Sequence, residues 1–114
     1  MDIESIRKVC IKLPAVTEDI KWENDLCFLV AGKIFCIVCL NPPHTVSVKV
    51  DENEFDEMIN KPGIIPAPYL ARYKWVQLEN LNVLSQKDFL FHLNKSYELV
   101  KSKLSKKLLK EFNL

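Results

Sequence analysis

The sequence predicts an α+β domain in which helices pack against one antiparallel β-sheet, in the order α-β-β-β-α-β-β-α. Three observations carry this expectation. Apolar residues recur at helical spacing near both ends of the chain and in one short acidic stretch. Between them, β-rich runs are joined by a hairpin-type turn and a proline turn. One run, residues 45–50, alternates Val46, Val48 and Val50 with Thr45, Ser47 and Lys49, as a strand with one wet face does. The chain has 114 residues, 48% hydrophobic and 27% charged, which is enough for one core and one domain, residues 1–114.

The first helix is expected over residues 2–12, with Ile3, Ile6, Val9, Cys10 and Leu13 as its buried stripe and Pro14 as its stop. Residues 15–25 read as polar and turn-like, anchored by Trp22, with room for a short strand at 20–23. Runs 26–31 and 33–40 flank Gly32 and predict a tight hairpin. Asn41-Pro42-Pro43-His44 is a turn, because a central strand does not hold two prolines. Asp51 with Glu54 starts a short acidic helix to about residue 60, ended by Lys61-Pro62-Gly63. Residues 64–69 are an edge strand or loop, and 73–79 a better strand. Ser85 with Asp88 caps the last helix, expected to run to residue 104 or beyond.

Both alternating faces of run 33–40 are apolar: Ile34, Cys36, Val38 and Leu40 on one, Phe35, Ile37 and Cys39 on the other. Something must cover the second face, either a terminal helix on the opposite side of the sheet or a second subunit.

Motifs with chemical meaning are sparse. Cys36-x-x-Cys39 matches a redox or zinc pattern, but residues three apart in a strand point to opposite faces. Cys27 is expected opposite Cys36 across the hairpin, and the four cysteines read as buried structural thiols. His44 and His92 lie in no recognisable catalytic setting, and two glycines make no phosphate-cradling loop. The acidic cluster Asp51, Glu52, Glu54, Asp56 and Glu57 reads as a solvated helix start without calcium-ligand spacing. The expectation is a non-enzymatic protein with no metal or cofactor. The longest apolar run, 34–40, is far short of a membrane span of roughly 20 residues, and with no signal segment the chain is expected in the cytoplasm.

Charge placement is more informative. The net charge of +1 selects no partner. From Lys95 onward, however, six lysines face two glutamates. On one continuous helix, His92, Lys95, Ser102, Lys103 and Lys106 share an arc beside the core stripe of Phe89, Leu90, Leu93, Tyr97, Val100 and Leu104. A face of this kind can track phosphates without reading bases. Arg72-Tyr73-Lys74-Trp75 interleaves cations with aromatics, as phosphate-plus-stacking surfaces do, and Lys49 on the wet strand face can join either group.

Several segments, in order, resemble the MmcQ/YjbR family of small bacterial proteins: Leu13-Pro14-Ala15-Val16-Thr17-Glu18-Asp19, the hairpin 28–35, Val48-Lys49-Val50-Asp51, Arg72-Tyr73-Lys74-Trp75, Ser96-Tyr97-Glu98-Leu99-Val100 and Leu104-Ser105-Lys106-Lys107. The resemblance spans nearly the whole chain. It implies a secretion-chaperone-like fold, helices on one curved antiparallel sheet, and the double-wing DNA binding predicted for that family. By position it carries over Lys49, Trp75, Lys106 and Lys107. Two departures stand out: Ala15-Val16 replaces the usual Gly-Ala, and Lys74 stands where a histidine commonly precedes the tryptophan.

The leading expectation is therefore a DNA-binding module that meets phosphates through Lys49, Arg72, Lys74, Lys95, Lys103, Lys106 and Lys107, with Tyr73 or Trp75 beside them. The alternative is a protein-binding or homodimerising module whose partner covers the sheet face.

Overall fold

Side-chain caps set the helix starts. Asp2, Asp51, Ser85 and Ser105 each accept a hydrogen bond from a backbone N–H of the first turn that has no partner inside the helix. The computed structural model describes all 114 residues. In chain order it contains α1 (Ile3–Ile11), β1 (Val16–Lys21), β2 (Asp25–Val30), β3 (Lys33–Cys39), β4 (Val46–Lys49), α2 (Glu52–Ile59), β5 (Ile64–Pro66), a single 3-10 turn (Ala71–Tyr73), β6 (Trp75–Leu78), α3 (Gln86–Lys101) and α4 (Lys106–Glu111). The predicted order is present, extended by a strand ahead of the hairpin and a short helix at the end.

The six strands form one sheet in the order β1-β2-β3-β4-β6-β5, antiparallel throughout. Val30 pairs with Lys33, so Ala31 and Gly32 alone make the β2–β3 turn, both at positive φ (48° and 85°). That is the primed geometry whose twist suits a two-residue hairpin. The polar stretch 15–25 is an edge strand rather than a turn. Glu18 occupies its core-side register beside Val16 and Ile20, and the Arg7 guanidinium of α1 holds it with Nε–Oε2 at 2.8 Å and Nη2–Oε1 at 2.6 Å. A charged residue on the inward side masked the alternation.

Helices α1, α2 and α3 lie on one face of the sheet. Ile6 and Cys10 of α1, Phe55 and Met58 of α2, and Phe89, Leu93 and Tyr97 of α3 share one core with Phe28, Val38, Val46, Val48, Val76 and Leu78. No terminal helix covers the opposite face, so that explanation for the doubly apolar strand fails. A bulge accounts for half of it. Phe28 pairs with Cys36 but Leu29 pairs with Ile34, which leaves Phe35 as the extra residue. Phe35 and Cys36 are consequently both fully buried, and Phe35 meets Tyr97 edge-on at 5.4 Å. Ile37 and Cys39 face the helix-free side. The same register overturns the expected Cys27–Cys36 pair: Cys27 sits opposite Ile37. All four cysteines are free, and the neighbouring Cys10 thiol together with burial pushes the Cys36 thiol well above the usual value. No helix is long and apolar enough to cross a membrane.

Candidate nucleic-acid interface

Lys49 ends β4, where its backbone is fixed from two sides. It pairs with Trp75 of β6, and its N–H donates to Ser96 Oγ of α3 at 2.9 Å. The Ser96 hydroxyl, fully buried, donates in turn to the Phe35 carbonyl at 2.6 Å. One serine thus bridges the end of β4 to the bulge of β3 and seats α3 on both. The Lys49 ammonium donates to the carbonyl of Tyr73. Partial burial, followed by the charge of Lys103, holds the Lys49 amine below the usual lysine value. Lys103, from the segment after α3, is therefore an electrostatic neighbour of Lys49.

Arg72 projects from the 3-10 turn, exposed, with its guanidinium 5.4 Å from the Tyr73 ring centre. Lys106 and Lys107 open α4 and are exposed. None of Lys49, Arg72, Lys103, Lys106 or Lys107 forms an ion pair; the ion pairs of the molecule lie elsewhere.

Of the predicted residues, the structure makes neighbours of Lys49 and Lys103 only, and three others are engaged elsewhere. Lys74 adopts left-handed backbone (φ 65°) that turns its ammonium over the Phe55 ring of α2, 4.9 Å from its centre. Lys95 faces Glu54 of α2 at 3.8 Å. Trp75 is only 7% exposed and has little ring face to offer a base. The single lysine arc is not formed either, because α3 ends at Lys101. Ser102 turns its hydroxyl back onto the Leu99 carbonyl at 2.7 Å, Leu104 buries itself, and Ser105 caps a new helix. His92, expected on that arc, is buried beside Glu54, and its Nδ1 has no hydrogen-bond partner. Burial, opposed by the Glu54 charge, holds its imidazole below the usual histidine value.

The helix-free face carries a groove of about 510 Å³. Its floor is Ile37, Cys39, Thr45, Ser47 and Gln77, with Asp25 at one end; Trp22 and the segment 67–70 form its walls. Trp22 is 67% exposed and Tyr69 98%. Neither has a site role legible in the sequence, because the floor and the two walls come from separate parts of the chain. No group of three His, Cys, Asp or Glu side chains assembles to hold a metal ion.

The YjbR family model matches residues 11–99, from the end of α1 to the last turns of α3. The chain belongs to the YjbR family. The match includes Lys49, Arg72 and Ser96 and stops before Lys103, Lys106 and Lys107. Among solved structures, a Deinococcus radiodurans protein with the family domain DUF419 is similar to this YjbR-family chain at TM-score 0.86 and 25% identity, over 98% of this chain and 88% of that one. A Pseudomonas syringae protein is similar in fold at TM-score 0.72 and 20% identity, over 87% of this chain and 98% of that one. No curated protein matches the chain. Ala15 adopts the left-handed backbone (φ 62°) that glycine favours, which agrees with the glycine the resemblance sets at that position.

Proposed function

We propose that this YjbR-family protein binds DNA through its phosphates and performs no chemistry on it. The observation that supports this most is a set of cations that no carboxylate neutralises. Lys49 and Lys103 come from distant parts of the chain, yet one charge depresses the proton affinity of the other. Arg72 rises from the turn that receives the Lys49 ammonium, and Lys106 and Lys107 follow on the short helix after Lys103. Like charges held together without carboxylates oppose folding and favour any anion that neutralises them.

Fluorescence polarisation with a labelled duplex at 50 and 200 mM salt tests the reading. If all five cations meet phosphates, affinity falls by up to about 500-fold between the two salt concentrations. The double substitution K103E/K106E lowers affinity on every sequence and flattens the salt slope by about 2. Absence of binding at 50 mM salt refutes the proposal.

A second reading is a homodimer or protein complex formed on the helix-free face. It is favoured by the missing helix layer there and by the exposed Trp22, Ile65 and Tyr69. That reading requires a mass by light scattering that rises with concentration and is insensitive to salt.

A further inference from the structure

The floor of the groove on the helix-free face continues along β4 toward Lys49. Thr45 and Ser47 line it, and Lys49 is the next residue of β4 on the same face, roughly 7 Å beyond Ser47 at strand spacing. At the other end, Asp25 pairs with Cys39, whose N–H bonds the Thr45 carbonyl, so the carboxylate lies level with Thr45. The groove therefore starts at a carboxylate, and Lys49 lies past its Ser47 end, roughly 13 Å from Thr45 along β4.

Two aromatic residues rise on either side of it from unrelated loops. Trp22 (φ 50°) lies in the β1–β2 turn and Tyr69 (φ 67°) in the segment after β5, both in left-handed backbone that bulky residues rarely adopt. Neither ring stacks on another aromatic residue. The side chains of Asp25, Thr45, Ser47 and Gln77 make no hydrogen bond within the protein. Open π-faces, free donors and acceptors, and a cation at one end are the features that recognise an unpaired nucleotide. A wholly apolar occupant leaves the polar floor unpaired. A cationic one suits Asp25 but is repelled by Lys49 past the other end, and a free phosphate uses neither aromatic wall.

We infer that the groove holds one unpaired nucleotide of a single-stranded nucleic acid, its base against Trp22 and Tyr69 with Asp25 and Gln77 at its edge, and its phosphate at Lys49. This rests on the nucleic-acid reading above and names its substrate class: strands with bases free to leave the stack.

The test uses ten-nucleotide single strands and duplexes of the same sequence. Quenching of tryptophan emission reports on Trp22, since Trp75 is buried. The substitutions W22N and Y69N keep the fold, because asparagine tolerates left-handed backbone. Single strands bind more tightly than duplexes, and each substitution lowers single-strand affinity by roughly 5- to 150-fold while duplex affinity and salt slope stay unchanged. K103E/K106E weakens both. If W22N and Y69N bind single strands like the wild type, or if duplexes bind as tightly as single strands, the groove assignment is overturned and the phosphate reading stands on the lysine variants. If neither nucleic acid binds at 50 mM salt, both readings fall.

Discussion

Removing the Ser96 hydroxyl is expected to weaken the whole domain. Ser96 is fully buried and satisfies two backbone groups at once, accepting from the Lys49 N–H at 2.9 Å and donating to the Phe35 carbonyl at 2.6 Å. Ser96→Ala deletes one oxygen and leaves both groups unpaired where α3 meets the sheet. Each buried group so orphaned costs about 1–3 kcal/mol. The Phe35 carbonyl is the deeper of the two, so the pair together costs about 2–4 kcal/mol. A domain of this size has about 5–15 kcal/mol in all. With a urea dependence near 1.5 kcal/mol per molar, the unfolding midpoint drops by about 1.3–2.7 M. Ser102→Ala is the control: its hydroxyl bonds the Leu99 carbonyl at an exposed site, and its loss stays within about 0.5 kcal/mol. Urea titrations followed by circular dichroism measure both. A Ser96→Ala loss no larger than that of Ser102→Ala would refute the claim that this bridge seats α3 on the bulge.

Three further outcomes follow from the same geometry. Ala15→Gly relieves left-handed backbone that costs an L-residue about 1–2 kcal/mol, against about 0.4–1 kcal/mol of added chain entropy in the unfolded state, so the variant is more stable by up to about 1.6 kcal/mol in urea titration. His92, whose folded value lies below its unfolded one, gives stability that is complete above about pH 6.5 and declines as pH falls toward the folded value; His92→Gln flattens urea stability between pH 7.5 and 5.5, and an unchanged slope would contradict this. Cys10, Cys27 and Cys36 are fully buried, and burial with the Asp25 charge pushes Cys27 up to about 11, whereas Cys39 is half-buried and lines the groove. Iodoacetamide at pH 8 therefore labels Cys39 first by mass spectrometry, and a bound single strand slows that labelling.

Local chemistry in the sequence was enough for most of the fold. Ala31-Gly32 between two β-rich runs, the Asp51 and Ser85 caps and the Val46-Val48-Val50 alternation are each determined within a few residues, and each is found where expected. The misses depend on distant partners. Glu18 on the inward side of β1 makes sense only with Arg7 opposite it. The Phe35 bulge is a register shift between two strands, invisible in either one. The break at Ser102 had a local signal, since Ser105 is a good N-cap, but the core stripe running on to Leu104 outweighed it. The site was less legible because charge placement on a surface depends on which helix lies next to it. Lys74 and Lys95 read as part of the basic surface until Phe55 and Glu54 of α2 come up against them.

That redistribution bears on the low net charge. A total of +1 is poor for a DNA-binding surface only if the charges are mixed evenly. They are not. Glu52, Glu54, Asp56 and Glu57 sit together on α2, where Lys95 pairs with Glu54 and Lys74 lies over Phe55. At Lys49 the only charge that shifts the amine is another cation, Lys103; no carboxylate contributes. A phosphate arriving there meets a local field set by neighbours within about 10 Å, the screening length at 0.1 M salt, rather than by the sum over the chain. Substitutions on α2 that alter net charge while sparing Lys49, Arg72 and Lys103 should therefore move affinity less than one charge reversal at Lys103, and the comparison separates a local site from a bulk electrostatic effect.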